Sequence, residues 1–493
     1  MVISPVHYIA IPLMAAFLIP LFGKLNKELV RLIPGMVLLY LSYVSVTLMN
    51  HVLTDSTIVE VIGGWNPPWG INLVFSPFSG FLVSMMTILG FLIWVYTYNF
   101  KPEVDYGQTT KFYTLFMMVI TGAVGIVLTG DIFNLFVFLE ITAISSYALT
   151  AFYRERDGAE AAFKYVLIGG FASFFILLAI VILYTQVGTL NMAEIALKMP
   201  TVDPHIKGVV LLLFFVGFGI EAEMFPLNGW APDVYTEAPG PIGAVFSGMV
   251  VKAGVYALMR VIFTLFDVPA VLNLLLIMGL ITMVVAEVIA MRQERIKRLL
   301  AYSSIGQMGL VLVAFAIGTK EAVFAAIFLM FNHAVIKGLL FLSTSYLVYH
   351  SKDKKISEMS GMAKLLPFTS FMFALGAIAI VGLPPFAGFW SKLYILMAAA
   401  KAQYIAVIAI ILVISVIEIV YYFRVVHKIY FGESSADLEI KKPSLNAKFT
   451  LLVLGLTIVI IGVYPDLITG IIDRAATDLL DTQNYIQTVL SIR

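Results

Sequence analysis

Acidic and basic residues alternate along this chain inside stretches that are otherwise apolar. Glu140 ends the run Leu135-Phe136-Val137-Phe138-Leu139, Glu221 and Glu223 precede Met224-Phe225-Pro226, and Lys252 follows Met249-Val250-Val251. His333 and Lys337 come next, then Lys392 and Glu418. Burial favours the neutral form of a carboxylic acid and of an amine alike, so such groups exchange protons readily when a neighbour changes charge. A Lys–Glu pair that opens and closes makes one site release its proton as the next takes one up, a relay that requires no cofactor. The carboxylates Glu140, Glu221 and Glu223 admit a second chemistry, because a hard cation such as Na⁺ is held by oxygen ligands. His333 and Lys337 are one helical turn apart and share a face, with Asn332 beside them. The other interior charges have local alternatives. Lys164 and Arg260 stand near the ends of their apolar runs, where a long side chain can snorkel to water. Glu287 lies about one turn from Arg292, so a local ion pair and a place in the relay are both open.

The composition says what kind of element must hold these groups. Of 493 residues, 61% are hydrophobic and 12% charged, where a soluble domain carries about 25% charged residues. No water-soluble fold hides that much apolar surface, so the chain reads as an integral membrane protein. Lys and Arg number 31 and Asp and Glu 30, a net charge of +1, without the basic excess that nucleic-acid binding needs. The absence of cysteine excludes disulfides, thiolate metal sites, iron–sulfur clusters bound by this chain and a cysteine nucleophile. Neither a dinucleotide-binding glycine fingerprint nor a paired set of haem ligands is visible. No cofactor and no redox centre are therefore expected within this chain.

Apolar runs near 7–23, 30–50, 76–100, 111–129, 131–153, 161–186, 207–229, 241–264, 270–291, 298–318, 321–347, 364–400, 404–430 and 447–466 are long enough to span a bilayer. They lack the alternation of a membrane barrel, so the expectation is an all-α membrane protein of about fourteen spans. No basic segment precedes the first run and no small-residue cleavage pattern follows it, so it is expected to be retained. Lys and Arg accumulate in cytoplasmic loops. Loops after odd-numbered runs carry nineteen of them, among them Lys101 and Lys352; loops after even-numbered runs carry only Lys198, Lys207, Lys320 and Lys401. That asymmetry predicts both termini outside the cell membrane. The segment 51–75 then lies outside, and Ile58-Val59-Glu60-Val61-Ile62, Gly63-Gly64 and Ile71-Asn72-Leu73-Val74 predict a small hairpin there. The mixed tail 471–493 reads either as a surface helix or as a frayed end.

Two runs are interrupted in corresponding places. Gly217-Phe218-Gly219-Ile220-Glu221-Ala222-Glu223-Met224-Phe225-Pro226 breaks span 7, and Gly382-Leu383-Pro384-Pro385-Phe386-Ala387-Gly388-Phe389-Trp390-Ser391-Lys392 breaks span 12. Each lies in the fourth helix of a five-helix block, spans 4–8 (111–264) and spans 9–13 (270–430). Five is odd, so the second block is expected to be inverted relative to the first, and paired broken helices point to a transport site at the repeat interface. Residues 1–110 form a three-helix segment with the hairpin, and 431–493 the last helix and the tail.

These residues resemble a known family, the antiporter-like subunits of complex I, Mrp antiporters and membrane-bound hydrogenases. The segments that carry the resemblance are Phe138-Leu139-Glu140-Ile141, Phe225-Pro226-Leu227-Asn228-Gly229-Trp230-Ala231-Pro232-Asp233, Val251-Lys252-Ala253-Gly254-Val255-Tyr256, Lys297-Arg298-Leu299-Leu300-Ala301-Tyr302-Ser303-Ser304-Ile305-Gly306-Gln307-Met308-Gly309, His333-Ala334-Val335-Ile336-Lys337-Gly338 and the span-12 break. It extends over nearly the whole chain and looks strongest toward the Mrp D-type subunit and its hydrogenase counterpart. It implies a hydrophilic axis along the membrane midplane, with Glu140 as acidic partner, Lys252 and Lys337 as relay lysines, His333 between them and Lys392 as terminal lysine. One position departs from the family pattern: where it usually has a span-7 lysine, this chain has Glu221. The implied Glu–Lys pair becomes a carboxylate pair, Glu140 with Glu221, which would hold a proton or Na⁺.

The leading functional expectation is a proton- or sodium-translocating subunit of a multisubunit membrane complex, with other membrane subunits and lipid as its neighbours. Its energy source is either an ion gradient, as in an Mrp-type antiporter, or a redox reaction in partner subunits. The alternative class is a self-contained secondary transporter of a solute, against which the many interior lysines argue.

Overall fold

The computed structural model describes residues 3–24, 26–54, 56–99, 106–266, 269–349, 354–433 and 440–491. Lys101 and Lys352, counted above among loop cations, lie outside them. The apolar runs fold as helices, since a membrane interior offers no water to satisfy open backbone groups.

Helices α1 (His7–Phe22) and α2 (Lys27–Thr54) precede an antiparallel hairpin of β1 (Ile58–Val61) and β2 (Asn72–Phe75), with Ile58 opposite Phe75. The chain continues through α3 (Pro77–Tyr98), α4 (Tyr106–Leu128), α5 (Ile132–Thr150), α6 (Arg156–Val187), the short α7 (Met192–Lys198), α8 (Pro204–Glu221) and α9 (Ala231–Glu237). A π turn, Phe246–Val250, joins α10 (Gly240–Val245) to α11 (Val251–Leu265) just before Lys252. Then come α12 (Pro269–Met291), α13 (Ile296–Ile317), α14 (Lys320–Leu347), α15 (Met362–Leu365), α16 (Pro367–Val381), α17 (Ala387–Lys401), α18 (Ile405–Phe431), α19 (Leu445–Val463), α20 (Asp466–Leu480) and α21 (Thr482–Leu490). Among the described residues twelve helices are long and apolar enough to cross a membrane, with α10 and α11 counted as one; α1 and α16 are apolar but shorter. The protein is an all-α multi-pass membrane protein with one small hairpin.

Loop contacts sort the helix ends onto two faces. On one, Ile296 N donates to Lys354 O (3.0 Å), Ile356 N to Glu294 O (2.8 Å) and Gly361 N to Lys428 O (3.2 Å), and Lys297 Nζ donates to Ala238 O (2.7 Å). These are the lysine- and arginine-rich loops, and they meet one another. On the opposite face the hairpin residue Asn72 accepts from Asn191 Nδ2 (2.9 Å) and from Gly130 N (2.9 Å). There Lys320 also pairs with Asp473 (2.9 Å). The two sets follow the alternation read from the loop charges.

The tail is not frayed. It forms α20 and α21, which bury Ile472, Ala475, Ala476, Leu479, Tyr485 and Val489. α20 packs across the hairpin-face ends of α3 and α14, and Ser76 Oγ donates to Asp478 at 2.6 Å.

Burial is uneven. The spans Gly240–Leu265, Ile296–Ile317 and Lys320–Leu347 are 100%, 94% and 89% buried within the protein, against 33% for α6 and for α18. The first three carry Lys252, Ser304, Gln307, His333 and Lys337. The outer helices turn Phe163, Phe171, Phe174, Val413 and Val416 outward, as membrane-facing surfaces do. α12 and α13 approach through Gly279 and Gly309; a Cβ on Gly309 would lie 2.5 Å from Met283 N and 2.8 Å from Gly279 O. Small residues at such crossings let backbones touch. Gly309→Val is expected to lower stability by roughly 1–3 kcal/mol through overpacking, read as a drop in the melting temperature of the purified protein in detergent.

Candidate functional site

The buried ionisable groups gather along the inner helices. Lys252, on α11, hydrogen-bonds to His333 Nδ1 on α14, and His333 Nε2 meets Ser304 Oγ on α13 at 3.3 Å. One turn along α14, Lys337 Nζ donates to Leu300 O (3.0 Å) and to Tyr422 Oη (3.1 Å) on α18. Ser303 Oγ stands 2.9 Å from the same hydroxyl. Further on, Lys392 on α17 pairs with Glu418 on α18, whose other oxygen accepts from Gln307 Nε2 at 2.8 Å. Lys252, His333 and Lys337 are completely buried, and Glu418 is 1% exposed. Five of the eight expected residues, Lys252, His333, Lys337, Lys392 and Glu418, thus lie in three neighbouring hydrogen-bonded clusters spread over α11, α13, α14, α17 and α18.

Among the described residues no hydrogen bond joins the three acidic residues of the first block to these clusters. Glu140, on α5, is half-buried and accepts a short hydrogen bond from Ser173 on α6. Glu221 is buried at the last turn of α8, and among the described residues neither its Oε1 nor either carboxylate oxygen of Glu223 has a hydrogen bond. Glu140 and Glu221 share no hydrogen bond with each other, and no metal-binding group of three or more His, Asp or Glu occurs among the described residues.

The two breaks have one backbone design. α8 closes with Met224 N donating to Gly219 O (2.9 Å), and α16 with Leu383 N donating to Ile378 O (3.4 Å), the six-to-one bond of a Schellman end. The left-handed residue of that end is Gly382 in the second break (φ +90) and Glu223 in the first (φ +58). A proline follows three residues later in both, Pro226 and Pro385. The second break is stitched into its surroundings. Lys392 Nζ donates to Val381 O (2.8 Å), Asn332 Nδ2 to Ala387 O (2.9 Å) and Ser391 Oγ (2.6 Å), and Trp390 Nε1 to Gly462 O (2.7 Å).

Three placements differ from the sequence expectations or add to them. Glu287 takes a hydrogen bond from Tyr421 Oη (2.7 Å) and is 1% exposed, which places it with the row and not in a local pair with Arg292. Arg260 does not snorkel; it is 2% exposed. Lys164 is at the basic face, bound to Glu160 (2.8 Å) and Asp233 (2.8 Å), and Arg298 bonds to the same Asp233. This constellation on α6, α9 and α13 went unassigned because its members are far apart in sequence; Asp233 and Arg298 each stood in a quoted motif. Trp230, beside it, stacks on Tyr165 at 4.0 Å between ring centroids.

Residues 129–418, more than half of the chain, match the family described as NADH:quinone oxidoreductase/Mrp antiporter, TM. The chain belongs to that family. Over almost their whole lengths, this antiporter-family chain is 32% identical to the N-type subunit of the NADH-quinone oxidoreductase of Desulforudis audaxviator, covering 96% of this chain and 98% of that protein. It is 30% identical to the D-type subunit of the Na⁺/H⁺ antiporter of Alkalihalophilus pseudofirmus, covering 98% of each. Among solved structures, a chain of the membrane-bound sulfane sulfur reductase, an archaeal respiratory membrane complex, superposes with a TM-score of 0.93 at 39% identity, over 99% of this chain and 100% of that one. The resemblance read from the motifs is therefore the family relationship.

A left-handed backbone at a non-glycine residue costs roughly 1–2 kcal/mol. Glu223→Gly is accordingly expected to raise stability by about 1 kcal/mol, seen as a higher melting temperature. A lower one would mean that the carboxylate is held by a favourable contact.

Proposed function

We propose that this chain is the cation-translocating subunit of a multisubunit membrane complex, moving protons, with Na⁺ as a further candidate, along its buried polar row. The observation that carries the reading is the succession of three buried bonded clusters on neighbouring turns of the inner helices, Lys252 with His333, Lys337 with Tyr422, and Glu418 with Lys392. Intramembrane ionisable groups mark ion pathways, and these are wired into alternating acids, bases and hydroxyls. Glu418, paired with Lys392, lies one helical turn from Tyr422, the partner of Lys337, so a change of charge at Lys337 acts on that pair at close range. Glu140, Glu221, Glu223, Lys252, His333, Lys337, Lys392 and Glu418 are the working residues of the reading, with Glu287 and Tyr422 added to them. Neither solute-transporter chemistry nor a redox reaction within the chain is favoured by any feature of this row.

The fold is read as fourteen spans: α1 to α6, α8 with α9, α10 with α11, α12, α13, α14, α16 with α17, α18 and α19. Two inverted repeats, α4–α11 and α12–α18, are supported by the shared Schellman ends and the prolines three residues beyond them. The basic face is assigned to the cytoplasm, which puts both termini outside the cell membrane.

At the first break the carboxylates are the distinguishing feature. Glu140 and Glu221 cannot both ionise cheaply in an apolar surrounding, and the unbonded oxygens of Glu221 and Glu223 are of the type a hard cation takes. The group is therefore assigned one proton or one Na⁺. The identity of 39% with a chain of the sulfane sulfur reductase favours a redox-driven complex; the 30% identity with an Na⁺/H⁺ antiporter component supports gradient-driven exchange as the second reading.

Affinity purification of the tagged chain from its own membrane, with mass spectrometry of its companions, separates these. Iron–sulfur proteins among them mean a redox-driven pump; small hydrophobic partners alone mean an Mrp-type antiporter. In vesicles holding the assembled complex, Lys392→Ala is expected to slow cation translocation about 10²-fold, the low end for loss of a positioned proton donor. Glu221→Gln is expected to change both the rate and its sodium dependence. Unchanged transport and sodium response in that variant would remove the carboxylate assignment.

A further inference from the structure

Arg260 is a buried charge that the relay row does not use. It lies two turns beyond Lys252 on α11, and the residues between and after them form a polar stripe at every fourth position: Lys252, Tyr256, Arg260 and Thr264. All four are buried, at 0%, 2%, 2% and 5% exposure. The stripe starts at the Lys252–His333 contact and ends at a cavity of about 750 Å³ on the hairpin face, lined by Thr264, Phe266, Lys207, Thr482 and Gln483 among others. Thr264 Oγ1 has no hydrogen-bond partner among the described residues.

Arg260 stands across this stripe. Its Nε donates to Tyr256 Oη at 3.3 Å, and its guanidinium lies 4.6 Å from the centre of the Tyr485 ring on α21. Its acidic counterpart is Asp478 on α20, but Nη2 and Oδ2 are 3.8 Å apart, too far for a hydrogen bond. Asp478 spends its hydrogen bonds elsewhere, on Ser76 Oγ (2.6 Å) and Phe78 N (3.2 Å) at the start of α3. The guanidinium charge is thus only partly offset. An arginine does not release its proton at accessible pH, so it cannot serve as a relay station. A fixed cation in a narrow polar passage instead repels other cations.

We infer that the Lys252–Tyr256–Arg260–Thr264 stripe is the branch of the ion path that opens on the hairpin face, and that Arg260, set by Asp478 of the tail, is its electrostatic gate against cation return. The inference rests on the cation-translocating reading of the row. Arg260 is a positioning residue in this scheme: it holds a field and exchanges nothing. It is eight residues, roughly 12 Å, along the helix from Lys252. Coulomb repulsion by a full unit charge over that spacing, at an effective dielectric constant of about 20, corresponds to about a tenfold change in rate, which is the upper limit for the partly offset guanidinium. The tail acts on the branch through one carboxylate. Movement of Asp478 from the α3 end toward Arg260 lowers the barrier, and its return to Ser76 restores it.

The test uses the assembled complex, purified through this chain and reconstituted in liposomes containing a pH-sensitive dye. Passive proton leak is recorded after an acid pulse with the membrane potential clamped. Removing one member alone strands a buried charge, so the main variant is the double substitution Arg260→Gln with Asp478→Asn. Its leak is expected to rise severalfold, up to about tenfold, whereas Arg260→Lys, which keeps the charge, stays at the wild-type level. A double variant that assembles and leaks no more than wild type overturns the gate. So does an equal leak in Arg260→Lys, and so does a failure of the uncharged pair to assemble, which would make the contact a structural pin. Driven cation uptake by the wild-type complex in the same vesicles tests the underlying reading separately. Its absence would remove that reading, while its presence with an unchanged leak would remove only the gate.

Discussion

Placing charge inside an apolar medium is the constraint on which this structure depends. An isolated ion there is far more costly than a hydrogen-bonded one, so each interior base must be supplied with acceptors and each acid with donors. The backbone provides several of them: Leu300 O takes a bond from Lys337, and Val381 O takes one from Lys392. Hydroxyls provide others, Tyr422 for Lys337 and Tyr421 for Glu287. Lys252, His333 and Lys337 sit on the most enclosed helices of the protein, whereas Glu287, Lys392 and Glu418 are turned inward from α12, α17 and α18, whose other faces look outward. The row and the core are therefore one object. The tight crossing of α12 and α13 at Gly279 and Gly309 serves the same end, since Glu287 and Gln307 come from those two helices.

The two breaks show how one backbone plan accommodates different chemistry. Both half-helices end in the same turn, yet the left-handed position holds Gly382 in one and Glu223 in the other. In the second break the nearby charge, Lys392, is bonded to Glu418 and to the helix end itself. In the first, Glu221 Oε1 and both carboxylate oxygens of Glu223 have no hydrogen bond among the described residues. The row is thus closed and paired at one end and acid-rich at the other. A conformationally expensive residue kept at such a position is a sign of function more than of folding.

Much of this was legible in the sequence, for reasons that can be named. Apolar length marks membrane helices strongly, and the loop lysines and arginines sorted the helix ends onto the same two faces that the loop contacts define. The hairpin was legible because Gly63 and Gly64 separate two β-rich runs, and their φ values of +72 and +75 are those that glycine supplies. Pro226 and Pro385 betrayed the breaks. Side-chain partners were not legible, since each contact joins residues distant in the chain: Lys252 with His333, Lys392 with Glu418, Asp233 with Lys164 and Arg298. Glu287 illustrates the failure. Its place one turn from Arg292 left a local pair and a position in the row equally open, and its hydrogen-bond partner, Tyr421, comes from a helix more than a hundred residues away. The tail was undecidable from composition alone, because an amphipathic segment is ordered only by the surface it finds, here α3 and α14.

The bond from Lys392 to Val381 O has a consequence for how motion and charge are joined. Val381 is the last residue of α16, and its carbonyl is one of the acceptors that a helix end leaves open. The ammonium therefore serves as the terminal stopper of that half-helix as well as the partner of Glu418. One side chain therefore fixes two things that sequence keeps far apart: the end of a half-helix and the carboxylate of α18. Displacing Lys392 would strip Val381 O of its donor and Glu418 of its cation together, so the break in span 12 and the ion pair stand or fall as a unit.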